Sequence, residues 1–524
     1  MRKSISTAIA LCMTVIMGAF AQTTHPLPLD PNVRMGVLEN GLTYYIRHNE
    51  EPKERAEFHI AQGVGAILEE DNQNGLAHFL EHMAFNGTQH FPGKGIINYF
   101  ESIGVNFGGN INAYTSLDET VYRLSDVPTI RPGIIDSALL VMRDWSCGLL
   151  LEDDEIDAER GVIREEWRTG ANANRRLWKE SNKLKYAGSQ YAKRDVIGDT
   201  AVINNFSYDA LRDYYKKWYG PDLQAIVVVG DINVDSIEAK IKQLWADVSA
   251  RANRGERPIY DIPDNQEPIV AIATDKEAQF TRIELEYKHN VLPDSLQLTM
   301  TAYTQDVLND IVSRILNYRF SEITQKPDAS FVGAYGFYGE LVKAKDAFQL
   351  IAVPKEGHEK QALTDLLIEA EKVKRFGFTN SELERAKAEM LTEYETDYNE
   401  RNNQRNIDLT RDYIRHYLDK TCTPGIEWEF QMLQVMLPQI NIELLNRLAQ
   451  NYVIDNNLII SFTAPEKETV KLPTKEEALA QLADVKAMEL TAPKEETIDK
   501  KLVTKTPKRG KIKVATTNKS LGTT

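Results

Sequence analysis

The sequence predicts an α+β protein of two homologous domains, each a mixed β-sheet with helices packed mainly on one face. Three observations carry this expectation. The stretch YDALRDYYKKWYGPDLQAIVVVGDI (208–232) reads as a helix, a turn and a buried strand, and IELLNRLAQNYVIDNNLIISFTAPE (442–466) repeats the pattern. Leu211, Tyr214 and Trp218 correspond to Leu445, Leu448 and Tyr452, and Leu223 and Val227 to Leu458 and Phe462. The offset of about 235 residues is far longer than a solenoid period and indicates a duplicated domain. Strands and helices also alternate in each copy without the strict βαβ regularity of a parallel sheet. Finally, a polar, proline-containing stretch, RANRGERPIYDIPDNQEP (251–268), lies between the copies as a linker. The expected domains span 30–255 and 265–490.

Within the first copy, GVLENGLTYYIRH (36–48) is a hairpin candidate with Asn40-Gly41 at the turn. RAEFHIAQGVGA (55–66) follows as a strand, with Phe58 and Ile60 on one face. GLAHFLEHMAFNGT (75–88) is a short helix closed by Asn86-Gly87 at a C-cap. NYFESIG reads as another helix end, and INAYTSLDETVYRLSDV (111–127) as a strand, a turn and a second strand. RPGIIDSALLVMRDWSCGLLL and DDEIDAERGVIREEWRT are amphipathic helices, the second with acidic residues in its first turn, where the helix dipole favours them. After the linker, Ile283, Leu285 and Tyr287 alternate as one face of a new strand. From 491 the chain is rich in Lys and Thr with no periodicity, as expected of a flexible basic tail or linker.

Composition narrows the function classes. Of 524 residues, 42% are hydrophobic and 27% charged, ordinary values for chains with sizeable cores. A net charge of −15 argues against nucleic-acid binding, which needs clustered Lys and Arg. Arg2 and Lys3, an apolar run from Ile5 to Phe20 and the triplet Ala19-Phe20-Ala21 read as a signal peptide over 1–21. The mature chain is therefore expected to be periplasmic or secreted, and no later segment is apolar enough to cross a membrane. Cys147 and Cys422 do not make a disulfide framework.

The chemistry concentrates in the short helix. His78 and His82, four residues apart, share one helical face, and two imidazoles at that spacing can grip one metal ion at about 2.0–2.1 Å each. Glu81 borders the same face, placed to take a proton from a water held by the ion rather than to ligate it. A buried helix with two satisfied histidines is the bland alternative. H-x-x-E-H in an exported chain with only nine histidines favours the metal. The order inverts the commoner H-E-x-x-H and is the inverzincin signature. Zinc suits these ligand types, although manganese or cobalt accept the same donors. A third ligand is expected from the acidic helix, where Glu159 and Glu166 lie two turns apart on one face while Glu165 points elsewhere. Spacing alone leaves Glu159 and Glu166 both open.

HFLEHMAFNGT, NINAYTSLDETVY and ERGVIREEW resemble the pitrilysin/insulinase family of zinc peptidases, and the resemblance extends over most of residues 30–490. It implies a Zn2+-dependent endopeptidase acting on peptides or unfolded segments, with Glu81 as base, Glu166 as third ligand and Glu159 as a supporting acid. The interval from His82 to Glu166 is longer than in the best-known members, which implies an inserted loop and keeps Glu159 as the second candidate ligand. The family binds peptides as an added strand at a sheet edge, here Asn112, Ala113 and Tyr114. Active members also supply an Arg and a Tyr, spaced R-x6-Y, from a distant domain. Arg319 and Tyr335 are too far apart to match, so the resemblance implies that the pair comes from a partner chain or a second homologous half. The chain is similar to the N-terminal half of long bacterial periplasmic members. The alternative is a non-catalytic binding or assembly subunit of a peptidase complex.

Overall fold

A computed structural model describes residues 25–250 and 256–495, with short stretches between 505 and 520. The signal peptide expected over 1–21, part of the linker and parts of the tail lie outside the described residues.

The first half opens with β1 (Val33–Val37) and β2 (Thr43–His48), paired antiparallel with Val37 opposite Thr43. The connection spans 38–42 rather than a two-residue turn. Gly41 takes φ 95°, and Asn40 Oδ1 accepts the Leu42 N–H at 3.1 Å. Then come β3 (Arg55–Gln62), α1 (Leu76–Met83), α2 (Gly95–Glu101), β4 (Ile111–Thr115), β5 (Thr120–Pro128), α3 (Ile134–Cys147) and α4 (Asp153–Gly170). The half closes with α5 (Ala173–Lys185), α6 (Thr200–Asn205), α7 (Tyr208–Trp218), β6 (Gln224–Gly230) and α8 (Val234–Leu244).

The second half runs β7 (Ile269–Asp275), β8 (Arg282–Asn290), α9 (Met300–Thr324), β9 (Phe331–Val342), β10 (Lys345–Pro354), α10 (Glu359–Phe376) and α11 (Asn380–Glu400). It ends with α12 (Asn406–Asp419), α13 (Ile426–Met436), α14 (Ile442–Gln450), β11 (Leu458–Pro465) and α15 (Lys475–Ala487).

The sheet orders are β1-β2-β6-β3-β5-β4 and β7-β11-β8-β10-β9. Without β1 they are the same sheet. β6 lies parallel to β2 and antiparallel to β3, and β11 lies parallel to β7 and antiparallel to β8. The helices that lead into these strands begin alike: Ser207 Oγ accepts the Ala210 N–H at 3.3 Å and Asn441 Oδ1 accepts the Leu444 N–H at 2.9 Å. This is the two-domain α+β fold that the duplication predicts.

Each sheet buries one face under its own helices. Phe58, Ile60 and Val228 pack with Phe79 and Leu80 of α1, Leu139 of α3 and Leu211 of α7. Leu285, Leu350 and Phe462 pack with Ile311, Leu363 and Leu445. The opposite faces are covered by exchange. On the first sheet, Tyr45, Val227 and Val229 pack against Leu409 and Tyr413 of α12, from the second half. The rings of Tyr45 and Tyr413 stack at 5.8 Å and 9°. On the second, Ala273 meets Ala173 and Leu177 of α5, from the first half, and Arg176 of α5 binds Asp275 through two hydrogen bonds of 2.6 and 2.9 Å.

Candidate metal centre

α1 has no side-chain cap of its own. Gly75 precedes it at φ 103°, in the left-handed region, and a Cβ there would lie 2.8 Å from the Gly198 Cα. Glu69, from the preceding segment, supplies the cap. Its oxygens accept the N–H groups of Gly75 at 2.9 Å and Ala77 at 2.8 Å, which sets a carboxyl at the positive end of the helix. Burial raises Glu69 to about 8, against the pull of these donors and of Arg194. The helix ends at Met83, earlier than the expected Asn86-Gly87 cap. The N–H groups of Phe85 and Asn86 return to the carbonyls of His82 and Met83 at 3.0 Å each, a tightened last turn, and Gly87 (φ 127°) serves the bend that follows.

His78 and His82 face the same way, with ring centroids 4.8 Å apart and planes at 80°. Glu166 of α4 meets both: its Oε1 is 3.6 Å from His78 Nε2 and its Oε2 is 3.2 Å from His82 Nε2. One ligand atom from each of the three lies within 4.8 Å of the others. Glu159 lies behind His82 instead, its Oε1 2.7 Å from Nδ1, while its Oε2 accepts from Asn86 Nδ2 at 2.5 Å. Lys94 in turn donates to Asn86 Oδ1. The two carboxylates that spacing left open are thus on opposite sides of one ring. Glu165 turns to solvent and pairs with Arg168.

Burial holds His78 down at about 4, with His82 beside it adding to the effect. Burial acts the same way on His82, but hydrogen bonds to Glu159 and Glu166 outweigh it and raise that ring to about 9. Hydrogen bonding from His82 lowers Glu166. Glu81 is 8% exposed, and burial raises its carboxyl. Its Oε2 accepts the Thr115 hydroxyl at 2.6 Å.

Two imidazole Nε2 atoms and a carboxylate facing one point are the donors of a three-ligand zinc site with an open fourth direction, so these residues fit zinc.

Asn112, Ala113 and Tyr114 lie on β4, the outer strand of the first sheet. Ser125 N–H to Asn110 O (2.9 Å) and Ser116 N–H to Glu119 O (2.8 Å) set the phase of the β4–β5 pairing. Asn112 and Tyr114 therefore turn their main-chain groups toward β5, and Ala113 and Thr115 turn theirs outward. Asn112 braces that edge, accepting the Ala113 N–H at 2.9 Å and donating to the Gly108 carbonyl at 3.1 Å. Arg319, whose separation from Tyr335 does not match the R-x6-Y spacing, is held inside the second half by Glu382 at 2.5 and 2.9 Å.

Glu69, Lys94 and Thr115 have no part in what the sequence predicts, and Asn86 only that of a C-cap. Asn86 and Thr115 sit inside motif stretches, so their proximity was available. Glu69 and Lys94 carry no local pattern.

A duplicated sheet-and-helix chain with this inverted histidine helix defines the pitrilysin-like class of folds. Two family models match it: Insulinase (Peptidase family M16) over residues 44–190, and Peptidase M16 inactive domain over 205–390, together more than half of the chain. The chain belongs to the M16 insulinase family. It is 28% identical over 479 residues to a "Zinc protease PQQL-like" of Arabidopsis thaliana, covering 91% of this chain and 47% of that relative. It is 29% identical over 420 residues to "Probable zinc protease PqqL" of Escherichia coli strain K12, covering 80% and 44%. The crystal structure of the first half of the periplasmic protease PqqL from Escherichia coli matches with a TM-score of 0.81 at 26% identity, covering 90% of this chain and 100% of that one. Pitrilysin shares the fold, with a TM-score of 0.63 at 14% identity over 90% of this chain and 50% of that one. The chain spans less than half the length of these curated relatives. Among the described residues no helix is long and apolar enough to cross a membrane.

Proposed function

We propose that this chain is the metal-bearing half of an exported zinc-dependent endopeptidase that hydrolyses peptides or unfolded polypeptide segments. A second homologous half or a partner chain would close the chamber and supply the carbonyl-polarising Arg and Tyr. The observation that carries this reading is the convergence of His78, His82 and Glu166 beside the Glu81 carboxyl.

His78, His82 and Glu166 would hold Zn2+, which when bound supplies Lewis acidity toward water and the scissile carbonyl. Glu159 keeps the His82 proton on Nδ1 and so aims the Nε2 lone pair forward. Glu81 takes the proton of the attacking water and passes it to the leaving amine. Its raised pKa brings it nearer to neutrality, which suits a group that must both accept and donate. The Thr115 hydroxyl fixes the Glu81 carboxyl. The outward Ala113 carbonyl and the outward main chain of Thr115, on an edge braced by Asn112 and flanked by Tyr114, receive an extended peptide as an added strand, a mode tolerant of varied side chains. The names of the relatives, zinc proteases and a periplasmic protease, support the same reading and an exported location.

The test is Glu81→Gln in the full chain, with zinc content and cleavage of a quenched fluorescent peptide measured with and without the completing half. The variant should bind one zinc and not cleave. Full activity in the variant would overturn the role of Glu81. A wild-type chain that takes up no zinc would instead support an assembly subunit.

A further inference from the structure

At the opposite edge region of the first sheet, the ends of β2 and β6 bring together a second set of ligand-type side chains. His48 closes β2 opposite Gly230, the last residue of its parallel neighbour β6. Asp231 follows β6, and Glu50 lies on the 49–54 loop that leads to β3. One ligand atom from each of His48, Glu50 and Asp231 lies within 4.8 Å of the others, and His48 Nε2 is 3.4 Å from Glu50 Oε1.

The aim of the histidine is set from outside the cluster. His48 Nδ1 lies 3.1 Å from the Ile232 carbonyl oxygen, which only accepts, so Nδ1 carries a proton and donates it. The other nitrogen, Nε2, faces the Glu50 carboxylate, and Asp231 lies within reach of the same point. A backbone carbonyl behind the ring is the usual device for orienting a metal-ligating histidine. The carboxylates are steadied in the same manner. Asp231 Oδ2 accepts the Glu54 N–H at 2.9 Å, and Glu50 Oε2 pairs with Lys53 at 3.1 Å, which leaves Oε1 toward the imidazole. His48 and Asp231 are held at the ends of neighbouring strands, on the frame of the sheet.

We propose that His48, Glu50 and Asp231 form a second divalent-cation site, which takes zinc through one nitrogen and two carboxylate donors. It is independent of the H-x-x-E-H centre. Its place in the fold assigns it a structural role. The 49–54 loop is where α12 of the second half docks: the Asn406 N–H donates to the Glu51 carbonyl at 2.7 Å, and Asn49 Nδ2 donates to Asn406 Oδ1 at 2.8 Å. An ion gripped by His48, Glu50 and Asp231 pins this loop to the end of β6, and with it the seat of the exchanged helix.

The test uses the full chain carrying His78→Ala and His82→Ala, which removes the principal centre. After dialysis against micromolar zinc it should retain one equivalent, and zinc should raise its thermal midpoint. Both effects should vanish when His48→Ala or Glu50→Gln is added. If the double variant does not fold, the wild-type chain serves, and its two equivalents should fall to one in His48→Ala. Absence of a second equivalent would show that a proton on His48 and the Lys53 ammonium satisfy the carboxylates, and would overturn the site. So would a second equivalent that survives both His48→Ala and Glu50→Gln.

Discussion

Lys185 of α5 reaches into the second sheet and sets its ammonium 2.6 Å from the Glu286 carboxylate of β8, with both side chains sealed from water. Glu284 completes the grip at 3.1 Å. Removing the lysine would leave buried carboxylate charge without a partner. Lys185→Met should therefore cost about 3–5 kcal/mol in urea denaturation, and Lys185→Met/Glu286→Met should recover part of it. A loss in the single variant no larger than that of an exposed ion pair would show that the contact is unimportant.

The two carboxylates of α4 should separate by metal affinity. Glu166→Gln removes a donor from the convergent set, whereas Glu159→Gln leaves all three and frees only the back of His82. Glu159→Gln should weaken zinc binding by about 10–100-fold, the usual effect of losing a group behind a ligand. Glu166→Gln should weaken it more. Competition with a chromophoric chelator measures both, and the reverse ranking would exchange their roles.

Thr115→Val keeps the shape of the β4 edge and deletes the hydroxyl that holds Glu81. A hydrogen bond to an ionised group contributes about 1.5–3 kcal/mol, so kcat should fall by about 10–100-fold. Zinc content should stay unchanged, because no donor is touched. A fall confined to KM would instead assign Thr115 to peptide binding.

Glu69 gives the fold a pH dependence of defined sign. Its folded value of about 8 lies above the ~4.3 of an unfolded glutamate, so between these values the folded state holds the proton that the unfolded state has lost. Its contribution is fully present below the lower value and is lost as pH rises through the upper one. Glu69→Gln should flatten the fall in stability across that interval, whatever its absolute stability. Parallel wild-type and variant curves in denaturant titrations at several pH values would remove Glu69 as the cause.

The duplication and the histidine helix were legible because both depend on local pattern. Leu211, Tyr214 and Trp218 repeat as Leu445, Leu448 and Tyr452, and His78 and His82 sit at the helical spacing that makes them neighbours. Spacing left Glu159 and Glu166 undecided, and only the family resemblance pointed to Glu166. Both lie on one helical face, and only the approach of α4 to α1 puts one in front of His82 and the other behind it. Helices do pack mainly on one face of each sheet, as the sequence predicts. The other faces are closed by α12 and α5, and nothing in the periodicity of an exchanged helix says which sheet it will cover.

That exchange bears on why a copy with no zinc-type donor set among its described residues persists beside one that has it. Strip away the later copy and Tyr45, Val227 and Val229 would stand bare, an oily wall open to solvent, and the sheet beneath the histidine helix would lose its backing. The later copy thus acts as masonry for the earlier one, closing its wall with α12 as α5 closes the wall in return.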